Sequence, residues 1–196
     1  PEGVTAVRAS ATAPDGSIWM VADLDQDLDA QPIKGQSDVA LLKVDKAGRV
    51  VSSQVLGAAS QANGYALAVA PDGRVAVAGS VIGALDDGKS GDAAGVADSF
   101  VTVFDATGQE QWTQRRGARA ADEATAVSFG ADGVVYVAGR SKSAMSGASA
   151  VGGWDGYVQA YSSRQANALA PFTATNIATR QFGSTGDDSV QAMTVS

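Results

Sequence analysis

The apolar residues of this chain fall in short runs bounded by Asp, Gly, Pro and Ser, a pattern that predicts strands. In one stretch, Tyr65–Ala70, Arg74–Ser80, Ser99–Asp105 and Glu110–Arg116 read as four strands, the first two joined by Asp72-Gly73 and the last two by Thr107-Gly108. Asp-Gly suits a tight hairpin because glycine accepts positive φ and the Asp side chain can bond the turn backbone. Several runs are apolar at both parities, as in Phe100, Val101, Val103 and Phe104. Such strands want cover on both faces.

The pattern repeats. Ala13-Pro14-Asp15-Gly16 returns as Ala70-Pro71-Asp72-Gly73 and as Gly130-Ala131-Asp132-Gly133, spacings of 57 and then 60 residues. A strand led by Asp follows each copy, at Asp38, Asp98 and Asp155, and a glycine closes each at Gly57, Gly117 and Gly183. Three landmarks in one order define units of four short strands. Four-stranded units repeated about an axis predict an all-β chain of β-propeller blades, with Ala-rich first strands such as Ala66, Ala68 and Ala70 at the crowded inner end. A β-sandwich or β-solenoid is the competing architecture, although a solenoid coil is usually shorter and needs no hairpin pairs.

The predicted boundaries are blade 1 at 1–57, blade 2 at 58–117, blade 3 at 118–183, and the first strand of a further blade at 184–196. Three antiparallel blades and one strand do not close a ring, since closed propellers have about four to eight blades. The expectation is a fragment of a larger propeller, which the start at Pro1 also suggests. The alternative is an open arc that associates with a second copy through its exposed edges.

Asp122-Glu123-Ala124-Thr125-Ala126-Val127, Val135-Tyr136-Val137-Ala138-Gly139, Gly152-Gly153-Trp154-Asp155 and Gln111-Trp112-Thr113 together resemble the bacterial β-propeller repeat called SBBP. The resemblance spans nearly the whole chain. It implies the propeller fold and a bacterial secreted or cell-surface setting, and implies no particular activity. Departures include Ser52 where the second copy has Trp112, and Ser37 and Ala97 where the third has Trp154.

Composition narrows the chemistry. The 196 residues include no Cys and no His, which excludes disulfides, thiolate or imidazole metal sites, and Ser–His or Cys–His catalysis. A net charge of −7 argues against nucleic-acid binding, and 45% hydrophobic residues are enough for a core. No apolar run is long enough to cross a membrane as a helix.

Strand order puts the hairpin turns on one side and on the other the longer loops Asp23–Ser37, Val81–Ala97 and Ser141–Gly153, together with the blade links Gly57–Gly64, Gly117–Glu123 and Gly183–Asp188. Long loops on a rigid scaffold are where binding usually resides. Asp23, Asp25, Asp27, Asp29, Asp86, Asp87, Asp122, Glu123, Asp187 and Asp188 make this face acidic, suited to a cationic partner or divalent ion. The alternate carboxylates Asp23, Asp25, Asp27 and Asp29 are candidate Ca²⁺ ligands, against which stand Leu28 at the turn position and Lys34 where a bidentate Glu would be needed. The bland reading is a solvated acidic loop with no cofactor. Gly88-Lys89-Ser90 lacks the spacing of a phosphate loop. The pairs Asp122-Glu123 and Asp187-Asp188 resemble acid/base carboxylates, but their equivalent places at blade links favour a structural role. Trp19 and Trp112 are expected in the core, whereas Trp154, in a Gly-rich loop, is a candidate for partner or glycan contact together with Asp86, Asp87, Asp122 and Glu123.

These residues predict no enzyme. They predict a noncatalytic scaffold or interaction module of a bacterial secreted, surface or appendage-associated protein, with a flagellar setting as one case. Its partner would be a protein, further blades of the same chain, or a second copy. A propeller that binds or processes glycans through the acidic loop face is the alternative.

Overall fold

The computed structural model describes residues 2–58, 60–83, 96–116 and 120–195. Every regular element among them is a strand, and none is a helix able to cross a membrane. Blade 1 holds β1 (Val4–Thr12), β2 (Ile18–Leu24), β3 (Asp38–Val44) and β4 (Val50–Leu56). Blade 2 holds β5 (Gln61–Val69), β6 (Val75–Ile82), β7 (Ala97–Phe104) and β8 (Glu110–Arg116). Blade 3 holds β9 (Asp122–Phe129), β10 (Val135–Ser141), β11 (Asp155–Gln165) and β12 (Phe172–Phe182). Each blade is a sheet of four antiparallel strands in sequence order, which is the predicted all-β, propeller-like architecture.

The hairpins form as the Asp and Gly residues dictate, with one difference. Glycine alone takes positive φ, at Gly16, Gly48, Gly73, Gly108 and Gly133, so the turn is four residues long and the Asp before it keeps negative φ. The Gly16 N–H closes back on the Ala13 carbonyl at 2.8 Å, and the Asp15 carboxylate accepts the Ser17 N–H at 2.9 Å. Asp45, Asp72, Asp105 and Asp132 accept turn N–H groups in the same way. The side chain stands in for the ladder bonds that a turn lacks.

The blades stack face to face. Trp19, Val21, Val39 and Leu41 on one face of blade 1 form a core with Val75, Val77, Phe100 and Phe104 of blade 2. The opposite face of blade 2, with Ala76, Ala78, Val101, Val103 and Trp112, meets Val127, Val135, Val137 and Tyr161 of blade 3. This explains the apolar residues at both parities. The first strand of each later blade lies across the blade before it, β5 against β1, β2 and β3, and β9 against β5, β6 and β7. Gly64 permits that approach, because a Cβ there would run into the side chains of Val21 and Val39.

Blade 3 departs from the repeat on its outer side. All three outer strands carry a bulged residue at the equivalent place, Val51, Gln111 and Ile177. In blades 1 and 2 the hairpin turns just beyond it. In blade 3 four further pairs follow, Ser162 with Thr175 through Gln165 with Phe172, so β11 and β12 extend into an arm. Residues 189–195, expected as the first strand of a further blade, form no ladder. They contact blade 3, where the Val190 N–H points to the Gly139 carbonyl at 3.4 Å and the Val190 carbonyl accepts the Thr125 hydroxyl.

Candidate functional site

The long-loop face is built on a repeated anchor. Asp38, Asp98 and Asp155, each opening the third strand of its blade, are all buried. Asp38 accepts the Lys34 N–H at 2.8 Å, and Asp155 accepts those of Val151 at 2.8 Å and Gly152 at 3.1 Å. Asp98 is instead held by Arg115, whose Nε lies 2.8 Å and Nη2 2.5 Å from the same carboxylate oxygen. Burial raises the Asp38 pKa, and the N–H groups of Lys34, Ala58 and Gly35 only partly offset it. Residues just before these aspartates bind the chain leaving the blade. Ser37 accepts the Ala62 N–H at 2.8 Å and Gln36 donates to Ser60 at 2.7 Å; Trp154 accepts the Asp188 N–H at 2.6 Å and Gly153 donates to Gly186 at 3.4 Å.

Trp154 stands at the place of Ser37, so the backbone link does not require its ring. The ring is half-buried and carries two cations, the Arg140 guanidinium 4.3 Å and the Lys142 ammonium 4.9 Å from its centre. Arg140 also pairs with Glu123, Nη2 to Oε2 at 2.7 Å, while Asp187 accepts the Trp154 N–H at 3.0 Å. The structure thus joins two predicted site residues, Trp154 and Glu123, through an arginine that the sequence reading did not single out. Arg140 lies near the end of β10 and Lys142 just past it, two residues apart, and both lie over the same ring.

The acidic loop is arranged differently from a calcium site. Leu24 and Leu28 are buried against Ala22, Ala40 and Leu42, with Ile33 packed beside them, so the Asp-Leu alternation is that of a strap with an apolar inner side. Asp23 turns to Arg8, with its oxygen 2.7 Å from Nε. Asp27 accepts the Ile33 N–H at 3.0 Å, and Asp29, at φ 52°, accepts the Ser53 hydroxyl at 3.0 Å. Asp25 is exposed. The four carboxylates diverge, and among the described residues no three acidic side chains converge as a metal site. In blade 3, Met145 is buried at the place equivalent to Leu28, its N–H held by Gln181 at 2.8 Å.

The remaining acids are mostly committed as well. Asp122 is fully buried at the start of β9, away from the surface where a contact residue would be needed. It lies beside a polar seam between blades 2 and 3, where Ser99, Tyr157 and Gln159 are buried and the Tyr161 hydroxyl donates to Gln159 at 3.0 Å. Burial raises the Tyr157 pKa strongly; its hydroxyl lies near Ser99 without a hydrogen bond of good geometry. Asp188 accepts the Ser184 N–H at 2.6 Å. Asp86 and Asp87 lie outside the described residues. Trp19 and Trp112 are in the core as expected. Among the described residues of the long-loop face, Asp25, Asp27 and Asp29 are exposed on the blade 1 strap, and blade 3 presents exposed Asp187 beside an aromatic ring with two cations.

No family model matches the chain. Among curated proteins it is similar to the Regulatory protein FlaEY of Caulobacter vibrioides, at 46% identity over 209 residues that cover 98% of this chain. The match takes in 21% of the relative, so the chain spans about a fifth of the length of the curated protein it resembles.

Proposed function

We propose that this chain is a noncatalytic interaction module, a run of propeller blades that holds a protein partner on its long-loop face within a bacterial regulatory, appendage-associated protein. One observation carries the reading: the paired carboxylates that offered acid/base chemistry are committed to the fold, Asp122 by burial, Glu123 to Arg140, Asp187 to the Trp154 N–H and Asp188 to the Ser184 N–H. Its similarity to a protein named as regulatory supports the same class. The SBBP-like stretches support a secreted or cell-surface setting for the module.

Trp154 is the feature of the glycan reading. A sugar stacks on an open aromatic face, and here the Arg140 guanidinium lies over the ring at 4.3 Å. That favours a protein partner, for which a Trp and an Arg held together are frequent anchors. The test is in-cell crosslinking from the long-loop face, read as a named product, with W154A/K142E beside a change on the turn face such as K46E. Loss of the product in the first variant alone supports the module. Turnover of a chromogenic glycoside that disappears in E123Q would replace it with the enzymatic alternative.

A further inference from the structure

Among the described strands, the β11–β12 arm breaks the repeat in length, and its composition breaks from the chain as well. From Gly156 to Gly186 there is no Asp or Glu, although the chain carries 21 of them, and Arg164 and Arg180 are the only charged residues in that stretch. The arm is ordered to its tip. The Gln165 amide donates to the Ala170 carbonyl at 2.7 Å, the Ala170 N–H to Asn167 at 3.0 Å, and the Leu169 N–H to the Asn167 side chain at 3.0 Å. Along the arm Ala174, and Phe172 in its last ladder pair, pack against the core that contains Trp112 and Tyr161. This fixed tip presents Leu169 at 96% exposure. An apolar side chain so displayed on a pinned loop loses little further backbone entropy when it is buried.

A receptor of matching size lies elsewhere in the same chain. Between blades 1 and 2 is a cavity of about 90 Å³ whose apolar lining includes Leu56, Ala62, Val81 and Phe100. That is well above the volume of one water and below a benzene-sized cavity of roughly 150 Å³, a space suited to one aliphatic side chain. Glu110, exposed, lies at its edge and is opposite in charge to Arg164 of the arm.

We propose that two copies of this chain associate by knob and socket, Leu169 of one copy entering the cavity between blades 1 and 2 of the other, with Arg164 meeting Glu110 at the rim. The contact joins two different surfaces, so it propagates from copy to copy unless the second copy returns it. It uses the arm and the blade 1–2 cavity, whose lining reaches Lys34 and Val81 of the long-loop side but not Trp154 or Lys142, and it deepens the interaction-module reading by naming one partner as the chain itself.

Sedimentation of the whole chain across a concentration series tests it. Self-association is expected, weakened about tenfold or more in L169D, whose side chain lies outside the fold and leaves the circular dichroism unchanged. R164E and E110R should each weaken association by roughly three- to tenfold, and the double exchange should restore it. A chain that stays monomeric at every concentration overturns the proposal, as does association indifferent to L169D, or charge exchanges that add without rescue. Such results leave the long-loop partner standing, because that reading rests on different residues and a different measurement.

Discussion

The carboxylate of Asp38 fills the space beside Gly57 that any side chain there would need, and Asp155 stands against Gly183 in the same way. Each glycine ends the outer strand of its blade, and each aspartate ties down the loop before the third strand. Gly57→Ala and Gly183→Ala are therefore expected to destabilise the chain by about 1–3 kcal/mol through overpacking. D155A leaves the N–H groups of Val151 and Gly152 unmet, at a cost of about 1–3 kcal/mol. Urea unfolding midpoints measure all three, and a midpoint equal to wild type in G57A would refute the contact.

The strap over blade 1 separates packing from charge. L28A should cost about 2–4 kcal/mol, because a fully buried leucine is lost against Leu24, Ala40 and Leu42. D25N, at an exposed carboxylate, should change stability by less than about 0.5 kcal/mol. Calcium at about 1 mM is expected to leave the melting temperature unchanged, since the carboxylates point to separate partners. A calcium-dependent rise abolished in D25N/D27N would restore the metal reading.

Trp154 supplies an optical test. Trp19 and Trp112 are buried, so acrylamide should quench mainly the emission of Trp154. W154F is expected to remove the quenchable fraction and to cost no more than about 1 kcal/mol, the scale of exposed cation–ring contacts. A larger loss would mean that the ring supports the fold beyond the backbone link that Ser37 makes without one.

Stability should fall on acidification, with one residue acting in the opposite sense. The Ser17 hydroxyl and N–H hold the Asp15 carboxyl well below the usual range, and the Arg49 N–H and guanidinium lower Asp45. Burial pushes Asp72 and Asp105 up, but their turn hydrogen bonds outweigh it and leave both lowered. A depressed carboxyl contributes stability above the unfolded pKa of about 3.9, and that contribution disappears as pH falls through the folded value. Asp38 is raised by burial, so its contribution is complete below about 3.9 and is lost as pH rises through its folded value. Thermal melts should show a declining midpoint below about pH 4, and the stability of D38N relative to wild type should improve as pH rises from about 4 to 7. No change in that difference would contradict the raised Asp38.

Much of the architecture was legible because it repeats. Asp-Gly turns, Asp-led third strands and terminal glycines recur in register, and the structure gives each described copy a local duty that explains why it recurs, Gly117 lying outside the described residues. What was not legible is relational. Asp23, Asp25, Asp27 and Asp29 read as a ligand set because carboxylates advertise themselves, whereas the buried Leu24 and Leu28 between them decide the loop's shape. Glu123 and Asp122 are adjacent in sequence, yet one pairs with Arg140 at the surface and the other is buried, because neighbours on a strand point to opposite faces. The arm did leave a trace, the spacing of 66 residues from Gly117 to Gly183 where the preceding step is 60, and an insertion of that kind in a repeat maps to a loop.

The laying of β5 across blade 1 and of β9 across blade 2 sets the unit of cooperativity out of phase with the repeat. A cut between Gly57 and Ala58 would divide the sequence cleanly but would strip Val21 and Val39 of the strand that covers them. A segment that melts together is expected to take in one blade and the first strand of the next, so that no blade has a private transition. Excision at repeat boundaries yields pieces with an uncovered core. The smallest autonomous portions of this chain should end one strand beyond where its sequence ends each copy.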